Sequence, residues 1–138
     1  MSTQTFLIVE NNALYRKILR RLIESQTGWS VAAEAADLKE VMLYLAHGSP
    51  DVIVVDIDLP ETNGIEAIRC ILQQDPKACI IAVSDFPDEE FRRAGLKAGA
   101  LHYILKEDLD VPRLAQLLAS CPAISRHSPC SEGRPPDR

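Results

Sequence analysis

Four apolar stretches in this chain each end abruptly in a side chain that can do chemistry. Phe6-Leu7-Ile8-Val9 runs into Glu10 and Asn11, and Val52-Ile53-Val54-Val55 runs into Asp56, followed by Ile57-Asp58-Leu59-Pro60. Cys79-Ile80-Ile81-Ala82-Val83 runs into Ser84 and Asp85, and Leu101 to Leu105 ends at Lys106. Singly, each has an ordinary reading: an Asp that caps a helix, a loop hydroxyl, a solvated lysine. Together they are harder to dismiss. Clustered carboxylates repel one another unless a cation offsets them. Oxygen donors in a shallow, partly hydrated site suit magnesium. A lysine and a hydroxyl beside them add positive potential where a phosphoryl group could sit. The chemistry is that of a carboxylate nucleophile accepting phosphate while metal and lysine neutralise the phosphoryl oxygens.

Those groups meet only if the stretches are neighbouring strands. Strand patterns fall at Thr5 to Val9, Ser30 to Glu34, Val52 to Val55, Cys79 to Val83 and Leu101 to Leu105. The third and fourth are continuously apolar, as strands covered on both faces are. Helical stripes lie between and after them: Leu14, Ile18, Leu22 and Ile23; Leu38, Val41, Met42 and Leu45; Ile65, Ile68 and Leu72; a weaker one over 88–98 with Phe91 and Ala94; and Val111, Leu114, Ala115 and Leu118. Asp37 with Glu40 reads as a capping box, and Asp110 with Pro112 as a helix start. Alternating strands and helices predict an α/β fold, one parallel doubly wound sheet whose function collects at the carboxyl ends of its strands.

Composition narrows the classes. The chain has 138 residues, enough for one domain with a real core, and a net charge of -5, which argues against general nucleic-acid binding. No apolar run reaches the length of a membrane span. The polar N-terminus leads straight into a strand without a signal peptide, which reads as a cytoplasmic protein with no membrane partner. Cys70, Cys79, Cys121 and Cys130 form no metal-binding spacing and read as reduced thiols, with Cys121 and Cys130 able to pair only under oxidation. From Ser120 onward Pro, Ser, Arg and Gly dominate, so the domain is expected to span 1–119 and the segment 120–138 to be a disordered tail or linker stub.

The blocks Leu7-Ile8-Val9-Glu10-Asn11, Val55-Asp56-Ile57-Asp58-Leu59-Pro60-Glu61-Thr62-Asn63-Gly64, Ala82-Val83-Ser84-Asp85 and Ala98-Gly99-Ala100-Leu101-His102-Tyr103-Ile104-Leu105-Lys106 resemble, in order and spacing, the response-regulator receiver domain of two-component signalling. The last two look most like receivers of the NarL/FixJ class, without the helix-turn-helix output domain such regulators carry. The resemblance implies a flavodoxin-like, five-stranded sheet of order 2-1-3-4-5 with five helices. It implies that Asp56 takes a phosphoryl group from a sensor histidine kinase. Glu10, Asn11, Asp56 and the Asp58 backbone carbonyl would hold magnesium, and Ser84 and Lys106 would contact the phosphoryl oxygens. Ser84 and Tyr103 would be the switch, read out on the fourth helix, fifth strand and fifth helix, a face that could also pair in a homodimer. The domain would be a signalling module and not an enzyme, apart from slow self-dephosphorylation. DNA would be reached only through an output domain absent from this chain, whether the chain is a stand-alone receiver or part of a longer regulator. Pro60 and Gly64 would shape the loop after the third strand, with Gly64 adopting a backbone angle a larger residue resists.

Two departures stand out. The family's second acid is here Asn11, a neutral and weaker ligand for a hard cation, so weakened magnesium binding is expected. Glu107 stands where many receivers have proline, so a trans bond is expected after Lys106. Asn11 also keeps open a phosphorylation-independent pseudo-receiver. A haloacid-dehalogenase-like phosphatase fits Asp58, two residues after Asp56, but lacks a cap and a further acidic motif. A flavodoxin-type cofactor site would want glycine or hydroxyl groups after the first strand, where Glu10-Asn11-Asn12-Ala13 stands. His47, His102 and His127 read as incidental.

Overall fold

The computed structural model describes residues 3–59 and 63–121. Five strands, β1 (Gln4–Val9), β2 (Trp29–Ala35), β3 (Val52–Asp56), β4 (Cys79–Ser84) and β5 (His102–Leu105), alternate with five helices. These are α1 (Ala13–Glu24), α2 (Leu38–Leu45), α3 (Gly64–Gln74), α4 (Glu89–Ala98) and α5 (Val111–Leu118), with a single 3-10 turn at Lys106–Asp108. The sheet is parallel throughout in the order β2-β1-β3-β4-β5. Every residue of β3 and β4 is buried. One face of the sheet packs on α2 and α3 through Leu7, Val9, Ile53, Val55 and Ile80, with Ala94 and Ala98 of α4 beside them. The other packs on α1 and α5 through Phe6, Ile8, Val52, Val54 and Ile81.

Each helix begins on an Asn or Asp whose side chain accepts a backbone N–H of the first turn: Asn12, Asp37, Asn63, Asp88 and Asp110. Such caps contribute about 1 kcal/mol apiece. At Asp37 the cap bond forms, Glu40 N donating to Asp37 Oδ1 at 2.9 Å, but the Glu40 carboxylate reaches one residue further back than a capping box requires and accepts from Ala36 N at 2.6 Å. Gly99, at φ 126°, ends α4 in a conformation that L side chains resist.

Several readings shift. On α1 the buried side chains are Leu19 and Ile23, with Tyr15 and Leu22 packed beside them, while Leu14 and Ile18 are exposed. The sequence carries two overlapping stripes a residue apart, and the Asn12 cap and the angle at which the chain leaves β1 select between them. On α4 Phe91 is exposed, and the buried residue is Gly95. On α5 Ala115 is exposed and Leu117 takes its place against the core. Cys121 is fully buried in the same core as Cys79, whose thiol is pushed up by burial and by Cys121. Cys130, His127, Pro60 and the segment from 122 onward lie outside the described residues. All described peptide bonds, including that after Lys106, are trans. Among the described residues no helix is long and apolar enough to cross a membrane.

The β1–β2 pairing slips between Phe6 and Leu7. Phe6 lies opposite Val31 but Leu7 lies opposite Ala33, so Ala32 is an extra residue in the edge strand.

Candidate functional site

The parallel order sets the carboxyl ends of β1, β3, β4 and β5 side by side. Glu10 follows β1 and is 2% exposed, while Asp56 ends β3 and Ser84 ends β4 at 3% each. Lys106, directly after β5, lies across them. Its Nζ is 3.0 Å from Glu10 Oε1, 3.4 Å from Asp56 Oδ2 and 3.7 Å from Asp85 Oδ2. The other carboxylate oxygens are tied to backbone. Asp58 N donates to Asp56 Oδ1 at 3.0 Å and Asn12 N to Glu10 Oε2 at 3.1 Å.

Two buried acids with one ammonium between them leave excess negative charge. Burial pushes the Glu10 carboxyl up to about 7; Lys106 opposes that rise and the charge on Asp56 adds to it. Asp58 is also raised, by burial and then by Asp56 and Asp85. Burial alone would depress Lys106, but Glu10 and Asp56 hold its pKa above the ordinary lysine value. A hard cation would relieve this surplus, and one or two carboxylates completed by water are what magnesium takes. Among the described residues no three acid, thiol or imidazole groups are gathered at metal-ligating spacing. The acids brought together here are Glu10 and Asp56, while Asn11 is exposed.

The Ser84 hydroxyl donates to the Phe86 carbonyl at 3.1 Å and accepts from Phe86 N at 3.2 Å. The Tyr103 hydroxyl is shut off from water and makes no well-formed hydrogen bond among the described residues, while Ser84 lies near enough to oppose the rise in its pKa. Burial raises its pKa. The ring lies along α4 where Gly95 has no side chain: a Cβ there would stand 3.5 Å from Tyr103 Cδ2 and 3.9 Å from Ile57 Cδ1, ordinary contact distances. Gly95→Ala should therefore fit and, by removing a glycine from a helix interior, add about 0.5–1 kcal/mol. A urea melt with a higher midpoint and unchanged slope is the expected result.

Gly64 is not at positive φ. What it needs is room: a Cβ there would lie 2.5 Å from the Asp56 carbonyl oxygen and 2.5 Å from Ile57 Cα, because Gly64 N donates to Ile57 O at 2.8 Å. The start of α3 is folded directly onto the backbone that presents Asp56.

Sequence reasoning missed four residues around the site. Arg16 Nη1 donates to the carbonyl of Glu10 at 2.8 Å and more weakly to that of Asn11 at 3.4 Å, while its Nε pairs with Glu34 Oε1 at 3.1 Å. Arg20 also pairs with Glu34. Burial would raise the Glu34 carboxyl, but Arg20 and Arg16 hold it below the ordinary range. Tyr15 lies over Lys106, Nζ 4.6 Å from its ring centroid. Burial pushes the Tyr15 phenol up to about 12, with Lys106 opposing. The signal in the sequence was weak: an aromatic and an arginine in the first turn after the Asn12 cap. His47 is exposed, and His102 Nε2 lies 3.0 Å from Ser120 Oγ, away from the acids.

The model of the response regulator receiver domain matches residues 6–119. The chain is 33% identical over 102 residues to the uncharacterized transcriptional regulatory protein YxjL of Bacillus subtilis, covering 74% of this chain and 47% of that protein. It is 37% identical over 100 residues to the chemotaxis protein CheY of Thermotoga maritima, covering 72% of this chain and 82% of that one. The chain thus spans about half the length of the transcriptional regulator and most of the chemotaxis protein. A solved LuxR-family two-component response regulator from Aurantimonas sp. SI85-9A1 superposes with a TM-score of 0.78 at 34% identity, over 91% of this chain and 94% of that one.

Proposed function

Because the chain belongs to the response regulator receiver domain family, we propose that it accepts a phosphoryl group on Asp56 from the phosphohistidine of a sensor histidine kinase. The observation that carries this is the Lys106 ammonium held at 3.0 and 3.4 Å between two buried carboxylates at the strand ends. With Asp56 Oδ1 tied to the Asp58 amide, Oδ2 is the oxygen that attacks phosphorus. The P–N bond breaks and the imidazole leaves with its electron pair. Lys106 then moves from Asp56 to a phosphoryl oxygen, and the Ser84 hydroxyl exchanges the Phe86 carbonyl for another. Tyr103 follows Ser84, and the change is read on the face made by α4, β5 and α5, where a partner or a second copy of the chain would dock. Magnesium, held by Glu10, Asp56, Asn11 and the Asp58 carbonyl, would supply neutralising charge at the phosphoryl oxygens.

Intact mass after incubation with acetyl phosphate and magnesium tests the reading. The full chain should gain one phosphoryl group and Asp56→Asn none; no gain in either overturns it. One observation favours a second reading, a binding module that signals without phosphorylation: the neutral Asn11 stands where the family's second metal-site acid would be. That module would show the same partner binding before and after incubation.

Asn11 supplies a tuned rather than absent site in this account. Asn11→Asp should tighten magnesium about tenfold, the scale of one added charge at a partly hydrated site. Isothermal titration calorimetry would measure it, and equal affinities would sink the weakened-metal idea.

A further inference from the structure

Lys106 is enclosed on two sides. Glu10, Asp56 and Asp85 face its ammonium from one side at 3.0, 3.4 and 3.7 Å, and its side chain is only 10% exposed. On another lies the ring of Tyr15, 4.6 Å from Nζ to the centroid. The ring face is the negative part of the aromatic quadrupole, so it attracts the ammonium without competing as an anion. The ring is also fixed at its base. Tyr15 N donates to the Asn12 cap at 2.9 Å, and one turn on Leu19 is buried in the core against which Tyr15 packs.

We propose that Tyr15 is the positioning residue for Lys106, its ring holding the ammonium over Asp56 while leaving it free to follow a phosphoryl oxygen. The proposal rests on the phosphoacceptor reading above. A carboxylate in that place would bind the lysine and compete with the incoming phosphoryl group. An aliphatic side chain would leave the ammonium to Glu10, Asp56 and Asp85 alone, with nothing on its other side to set where it sits between them. An aromatic face does neither: its attraction is weaker than that of a phosphoryl dianion and adds to the carboxylates in fixing the ammonium's position.

The test compares Tyr15→Phe with Tyr15→Leu in the full chain. Phe keeps the ring and loses the hydroxyl; Leu keeps apolar packing and loses the ring. Two readouts are taken: the rate of acetyl-phosphate labelling with magnesium, and the NMR signals of the Lys106 ε-methylene, which a ring face shifts upfield. Phe is expected to match the native chain in both. Leu is expected to label about tenfold more slowly and to lose the upfield shift. Urea melts of the two variants control for a merely structural role. Equal labelling rates in Phe and Leu overturn the proposal, as do Lys106 signals that stay unmoved in Leu or a Phe variant as slow as Leu. If the native chain takes up no phosphoryl group, the phosphoacceptor reading fails, whereas the ε-methylene shift still decides whether the ring holds the lysine.

Discussion

Lys106→Met is expected to slow phosphorylation of Asp56 by about 100- to 1000-fold, the usual scale for removing one preorganised charge from a transition state. It should also destabilise the protein by about 3 kcal/mol, because Glu10 and Asp56 would stay buried with their counter-charge gone. The loss depends on pH in a definite direction. Glu10 already titrates at about 7 against an ordinary 4.5, and Lys106 opposes that rise. Without the lysine the folded-state value climbs further. For an acid raised on folding, the stabilising contribution is complete below the unfolded value near 4.5 and is lost as pH rises through the folded value. The native chain should thus lose stability between pH 4.5 and 7, and the variant should fall short of it most at pH 8 and least at pH 5. Urea unfolding at both pH values measures this. A deficit of the same size at both would mean that the methionine packs badly and that charge is not the cause.

Gly64→Ala should be the most damaging small change in the domain. The new methyl would sit 2.5 Å from two backbone atoms of Asp56 and Ile57, which no side-chain rotation can relieve. Overpacking against backbone costs about 3 kcal/mol or more, or a fall of roughly 10 °C in the thermal midpoint of a domain this size. The strand end must shift, so labelling of Asp56 should fall along with stability. Gly95→Ala, in the next helix, should move stability the other way. Thermal melts of the two side by side would separate a glycine kept for space from one that helix propensity alone would replace.

Much of this was legible because parallel strands buried on both faces are written as unbroken apolar runs. Val52 to Val55 and Cys79 to Val83 could hardly be anything else, and the polar residue ending each run marked the site. Asp56, Glu10, Ser84 and Lys106 are brought together as that logic requires. What the pattern could not carry was phase. On α1 the stripe through Leu14 and Ile18 is as regular as the one through Tyr15, Leu19 and Ile23, and only the direction of the chain after Asn12 decides between them. The wrong phase hid Tyr15 and Arg16. Gly64 was recognised as special for the wrong reason, since a close approach of two backbones leaves no mark in a single sequence.

The slipped pairing of β2 has a consequence for how the chain can vary. Because Ala32 is an added residue, Glu34 lies opposite Ile8 on the α1 side, where Arg16 and Arg20 meet it, and Ala35 lies opposite Val9 on the α2 side. Ala32 itself is exposed, so nearly any side chain would be tolerated there. Deleting it would leave Val31 opposite Phe6, Ala33 opposite Leu7 and Glu34 opposite Ile8, so each side chain would keep its face and both arginines their carboxylate. Losing a paired residue such as Ala33 is the change that would move Glu34 to the other face. At this edge the protein is indifferent to spelling and carries one residue of slack in its length, placed just before the stretch that supports Glu10.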